Sequence, residues 1–177
     1  PDYFGGAPFL DGVEILFPRP TERDGGNARF LAGETEIVEP SSDSLPALLA
    51  DPTDEVHRYQ DLSLSFMGLN TGARGLTDPR VRRAIAMAID RKAVISGAAD
   101  GFGSPIGSHY VPGALGFVDT TGINPFDPAK ARALLAEAGV KTPLELTLQL
   151  PPPPYARQGG EVIAAQLAKV GIVAKIQ

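Results

Sequence analysis

Residues 78–91 constrain the fold more than any other stretch: Asp-Pro-Arg-Val-Arg-Arg-Ala-Ile-Ala-Met-Ala-Ile-Asp-Arg. Asp78 suits a helix N-cap, because its carboxylate can accept from the unpaired amides of the first turn. Pro79 suits the first helical position, where no N–H is needed. Val81, Ala84, Ile85, Ala88 and Ile89 then recur at i, i+3, i+4, i+7 and i+8, a single apolar stripe. Asp90 reads as the cap of a second helix, Arg91 to about Ala98, set at an angle to the first. Such a pair of helices is built to pack on a core.

The rest of the chain supplies partners for that core. Asp127-Pro128 repeats the capping device, and Ala131, Leu134, Leu135 and Ala138 form its stripe, closed by Gly139. Leu144 to Leu150 alternates cleanly, as a strand with one buried face does. The proline run 151–154 stops it. Gly160 to Val170 reads as a helix ended by Gly171, and Ile172 to Ile176 as the last strand, giving a βαβ unit. Upstream, Val13–Phe17 and Glu36–Val38 read as strands around a helix from Thr21 to Ala32, weakened by Gly25-Gly26. Ser41 to Ala50 reads as a helix capped by Asp43 or Ser44. Glu55–Gln60 and Leu62 to about Asn70 read as further strands. The order predicts an α/β fold, a mixed sheet flanked by helices.

Composition narrows the function. Sixteen basic against 21 acidic residues leave a net charge of −5, and Arg80, Arg82 and Arg83 are too few to argue a nucleic-acid groove. Cysteine is absent, which excludes disulfides and thiolate sites. His57 and His109 are the only histidines, poor material for zinc. No apolar run is long enough to cross a bilayer, and no stretch reads as a signal peptide. The chain opens on Pro1-Asp2 and closes on a strand, which suggests a piece of something longer. The glycines of 101–107 space a dinucleotide fingerprint wrongly and follow a helix. A hydrolase would have to draw on Ser104 or Ser108 with His57 or His109, and no spacing supports a triad. Glu34 and Glu36 share a strand face and read as a solvated rim. The stretch from Gly101 to Asn124 has no period, and a loop of that length inside a domain is more often functional than idle.

Asn70-Thr71, a short loop, and Asp78-x-x-Val81-Arg82-x-Ala84-Ile85-x-x-Ala88-Ile89-Asp90-Arg91 resemble the signature of the family 5 extracellular solute-binding proteins, the peptide/nickel-type receptors of ABC importers. The likeness continues in order. Gly101 to Pro105 resembles that family's glycine-rich turn, and Val111 to Phe117 its Pro-Pro-x-x-Trp-Gly-Tyr loop. Asp127 to Gly139 resembles its next helix, and Ala165 to Ile172 its late helix and strand. Leu31-Ala32-Gly33-Glu34-x-Glu36-Ile37 resembles a Leu-x-x-Gly-Glu-x-Asp-Ile stretch upstream. Leu115 stands where the family has tryptophan, and Phe117 where it has tyrosine.

The resemblance implies a periplasmic-binding-protein fold of class II, closing on ligand by a hinge. In it, residues 1–40 belong with the first lobe and 41–177 form most of the second, ligand-binding lobe. It implies a small ligand, peptide, chelate or similar, an ABC permease as partner, no cofactor and no catalysis. The location is periplasmic or extracytoplasmic, peripheral to the membrane. By position in the family, ligand contacts fall at Leu62 and Ser63, in the loop carrying His109, Tyr110, Leu115 and Phe117, and at Tyr155 and Arg157. His109 could donate to a carboxylate or ligate a metal, and Arg157 could pair a carboxylate through two parallel bonds. The alternatives are a serine/histidine hydrolase-type α/β domain and a protein-interaction domain on the same fold.

Overall fold

The computed structural model describes residues 4–17, 25–40, 44–57, 59 and 62–177, with only the backbone described at Pro154. The chain divides into two units, Pro1–Arg58 and Tyr59–Gln177.

The first unit holds two short helices, α1 (Gly25–Leu31) and α2 (Leu45–Ala50). Gly25-Gly26 opens α1 rather than breaking it, and Gly33 at φ 72° closes the turn that follows, donating to the Phe30 carbonyl at 2.9 Å. The start expected at Thr21 lies outside the described residues, as does Asp43. Ser44 stands at the N-cap of α2 but makes no side-chain capping bond. Leu48 is buried while Leu49 remains half exposed. The strands expected at Val13–Phe17 and Glu36–Val38 do not form among the described residues. Val13, Ile15, Phe17 and Ile37 are all exposed. A strand is stabilised by a neighbour's ladder and a covered face, and neither is supplied here.

The second unit contains the core. The strand expected from Glu55 lies partly outside the described residues, and 55–57 join no ladder. Residues 62–69 likewise join none, and the Leu62–Leu64–Phe66 face is not the one used. Met67 and Leu69 pack on the core instead, while Leu62 and Phe66 stay exposed. Asn70 then turns the chain, its side-chain oxygen accepting from the Gly72 amide at 3.0 Å.

Helix α3 (Pro79–Ala88) and helix α4 (Arg91–Ala99) form the expected angled pair. Asp78 accepts from the Arg80 amide at 2.7 Å. Asp90 accepts from Lys92 and Ala93 at 3.0 and 3.3 Å. Its own amide donates to the buried side chain of Gln166 at 2.9 Å, which pins the corner between the helices. Val81, Ala84, Ile85 and Ala88 are buried as the stripe predicts, and Met87 joins them. Burying a side chain the size of Ile85 or Leu135 stabilises by about 1.5–3 kcal/mol. Helix α5 (Pro128–Glu137) packs on α3 through Ala131 and Leu135. Arg80 ties both ends of that pair, gripping Asp78 and donating to the Glu137 carbonyl at 2.7 Å.

The sheet follows. Strands β1 (Leu144–Leu148) and β2 (Ile172–Ile176) pair in parallel, Leu144 opposite Ile172 and Leu148 opposite Ile176. The expected mixed sheet is, among the described residues, this two-stranded parallel ladder. Helix α6 (Pro154–Ala168) makes the crossover and packs on both α4 and β2. It begins six residues before the expected Gly160, because Pro154 at the first helical position lacks only an N–H that has no intrahelical partner. Gly159 and Gly160 survive inside it because neighbours press close. A Cβ at Gly159 would stand 3.3 Å from that of Ala98, and one at Gly160 only 2.6 Å from Leu150. Leu144, Leu146 and Ala174 face the core, while Glu145, Thr147, Val173 and Lys175 face away.

Candidate ligand-binding face

In parallel α/β layers, ligands sit beyond the carboxyl ends of the strands. Here that end is followed by Leu150, whose amide extends the pairing to the Gln177 carbonyl at 3.0 Å, and then by the start of α6. Tyr155 and Arg157 stand on this first turn. Tyr155 is half exposed, and Arg157 donates from Nε to Glu161 at 3.1 Å. Both members of that ion pair are well exposed, so it adds little to stability. The two terminal nitrogens of Arg157 keep no partner among the described residues.

The following turns of α6 lie against the end of α4. Gly159 approaches Val94 and Ala98, and Gly97 approaches Val162. The long loop departs from that end of α4. Asp100 and Gly101 both take the left-handed conformation, at φ 47° and 84°, and the Gly101 amide caps the Ile95 carbonyl at 3.2 Å. Strand end, helix start and loop origin are therefore neighbours.

The loop itself is ordered by short-range bonds. Ala114 donates to Val111 at 3.0 Å and Phe117 to Ala114 at 3.1 Å. Gly113 and Gly116 take φ near 90° and 84°, which the turns around the tip require. Val111 is buried and anchors the tip. Leu115 is 98% exposed at its apex, Phe117 is half-buried, and the rings of His109 and Tyr110 lie 4.6 Å apart at 37°. At the exit, Asp119 accepts from the hydroxyl and amide of Thr121 at 2.7 and 2.9 Å. Those two bonds, the hydroxyl's foremost, hold its carboxyl below the usual carboxylate range. Arg91 then donates to the Asn124 carbonyl at 3.3 Å, returning the loop to α4.

The sequence-derived positions thus lie on three segments. His109, Tyr110, Leu115 and Phe117 share the loop, and Tyr155 and Arg157 share the start of α6. Leu62 and Ser63 lie at the exposed beginning of the segment whose anchors are Met67 and Leu69. A cavity of about 340 Å³ lies elsewhere, lined by Arg132, Leu135, Val140, Thr142, Lys169 and Gly171. Thr142 and Gly171 precede β1 and β2, so this cavity is at the amino ends of the strands, and none of the eight positions lines it.

One feature of the loop has no signal in the sequence. A Cβ at Gly107 would stand 2.5 Å from both the carbonyl oxygen and the hydroxyl of Thr120, and closer still to its carbonyl carbon. Two arms of the loop, 13 residues apart, touch there backbone to backbone.

The family model "Bacterial extracellular solute-binding proteins, family 5 Middle" matches residues 1–177, the whole chain. The chain belongs to this family. Di/tripeptide-binding protein 1 of Pseudomonas aeruginosa is 31% identical over 168 residues, covering 92% of this chain and 31% of that protein. Heme-binding protein A of Haemophilus influenzae is 28% identical over 178 residues, covering 97% of this chain and 32% of that protein. Among solved structures, the dipeptide-binding protein from Pseudoalteromonas sp. SM9913 in complex with Met-Leu superposes with a TM-score of 0.76 at 27% identity. That match covers 91% of this chain and 32% of the neighbour. This family member thus spans about a third of the length of these relatives.

Proposed function

We propose that this chain supplies one wall of an interlobe cleft in a solute-binding receptor of an ABC importer, working outside the cytoplasm. The ligand is peptide-like or a related small molecule, and the second partner is the membrane permease. Residues 1–40 belong with the first lobe of that receptor and 41–177 with the second. Function is passive: the ligand stabilises a closed form over an open one, and no bond is made.

The observation that carries this reading is Leu115. A large aliphatic side chain stands 98% exposed at the tip of a turn anchored by buried Val111. Leaving such a side chain in water forgoes about 1.5–3 kcal/mol of burial, which a ligand seated on the tip would recover. Tyr110 and Phe117 flank it with aromatic surface, and Leu62, Ser63, His109 and Tyr155 complete the wall. Arg157, whose terminal N–H groups keep no partner among the described residues, suits a carboxylate of the ligand.

The hydrolase alternative is disfavoured by local geometry. Among the described residues no hydrogen bond joins Ser104 or Ser108 to His57 or His109: the Ser108 hydroxyl accepts from the Tyr110 amide at 3.3 Å, the His109 ring lies 4.6 Å from that of Tyr110 at a 37° tilt, and His57 faces Glu55 at 3.1 Å. Calorimetric titration of the full-length receptor with dipeptides, tripeptides and heme tests the proposal. Saturable binding of at least one is expected, weakened about fivefold or more by Leu115→Ala with the melting temperature nearly unchanged. Equal affinity in wild type and variant would remove Leu115 from the site.

A further inference from the structure

The wall proposed above depends on a loop tip with few packing anchors of its own. Between Gly107 and Thr120, Val111 is buried, and the amides of Tyr110, Ala114 and Phe117 make short-range turn bonds. A 12-residue excursion held by short-range contacts alone would sample many shapes, and a ligand would have to order it on binding.

We infer that Gly107 is a positioning residue for ligand binding: its close approach to Thr120 clasps residues 108–119 into a preformed loop that presents Leu115. Three observations bear on this. The contact is made to the Thr120 backbone, so no side-chain rotation can relieve a Cβ placed at 107. Gly107 is not at a left-handed φ, so its lack of a side chain answers to this approach and not to backbone conformation. The Thr120 hydroxyl is buried without a hydrogen-bond partner among the described residues, as expected where two chain segments meet closely enough to shut out water. Asp119 and Thr121, on either side, lock the exit arm through their own pair of bonds. The clasp thus has one rigid jaw, and Gly107 fits against it.

A closed base and a free tip describe a compact surface loop whose ends are close. Such a loop has already lost most of its conformational freedom before ligand arrives. Opening the clasp therefore affects affinity through loop order, without removing any ligand contact. This inference rests on the ligand-wall reading for its binding consequence, while the clasp itself can be read without ligand.

The test is amide hydrogen exchange on the full-length receptor. In the unaltered protein without ligand, the amides of Ala114 and Phe117 are expected to exchange at least 100-fold slower than free peptide. Gly107→Ala is expected to speed exchange across 108–119 at least tenfold while leaving α3 unchanged. Gly122→Ala, in the same loop but with nothing within 4 Å of the added carbon, is expected to change neither. Affinity for the dipeptide Met-Leu is expected to fall in Gly107→Ala and to hold in Gly122→Ala. Fast exchange in the unaltered protein overturns the clasp even if Gly107→Ala does not fold. So does equal exchange in the two variants, or acceleration that spreads evenly into α3. If the unaltered receptor does not bind Met-Leu, the ligand reading fails for that probe, and the exchange rates still decide the clasp.

Discussion

Asp78 does two things at once. It caps α3 through the Arg80 amide, and it holds the Arg80 guanidinium with three contacts between 2.7 and 3.2 Å. The side-chain bond to Arg80 is the main reason its carboxyl lies below the usual range, with the Arg80 amide second. The sign follows. A carboxyl whose folded value is depressed contributes stability that is present above the unfolded value of about 3.9 and lost as pH falls through the folded value. Asp78→Asn is therefore expected to lower the melting temperature at pH 6, and the gap to wild type should close as pH drops below about 4. A gap that stays constant from pH 6 to pH 2.5 would mean that the carboxylate charge is idle. The same side chain explains why the Asp-Pro pair was legible. Cap and proline act within one turn, so the sequence contains the whole interaction.

Elements differ in how much of their stability is local. The apolar face of α3 is buried against α5, in one core with Ile172 of β2, and Ile85 is 1% exposed at its centre. Ile85→Ala is expected to destabilise by about 2–5 kcal/mol, because the surrounding side chains cannot collapse fully into the gap. Asp90→Ala, which removes only the cap of α4, is expected to cost about 1 kcal/mol. Equilibrium urea unfolding of the two variants measures the ratio, and equal costs would contradict the division of labour. This contrast also shows why the second half of the chain reads well. At α3, α4, α5 and β1, the cap, the stripe and the alternation point the same way as the packing. The strands expected at Val13–Phe17 and Glu36–Val38 had apolar residues without the partner. A ladder is a contract between distant residues, and no local pattern can state that it is met.

At the scale of the molecule, the chain spans about a third of the length of the relatives it matches, and its surface carries exposed apolar side chains. Phe4, Phe9 and Phe17 are 86% exposed or more, as is Ile37. Exposed apolar area of this kind marks a surface that another part of a protein covers. Purified alone, the 177-residue chain is expected to bind a hydrophobic dye and to elute above monomer mass in size-exclusion chromatography. The longer receptor proposed above is expected to do neither. A dye-silent monomer would show that these side chains find cover within the chain in solution. The candidate wall follows the same logic. Its loop was legible because Gly101, Gly103, Gly107, Gly113 and Gly116 deny it any period. What holds the loop in shape was not, because the touch between Gly107 and Thr120 crosses 13 residues and leaves no mark on either neighbourhood.

The amino-acid sequence by itself determined the capped helices, the parallel βαβ unit and the place of the long loop, since each is encoded within a turn or along one face. Tertiary structure decided the rest. It chose Met67 and Leu69 over Leu62 and Phe66, left the early strands unpaired, and closed the loop at Gly107. Each of those outcomes depends on which distant segment arrives beside a residue, and a residue's own neighbours in the chain do not specify that.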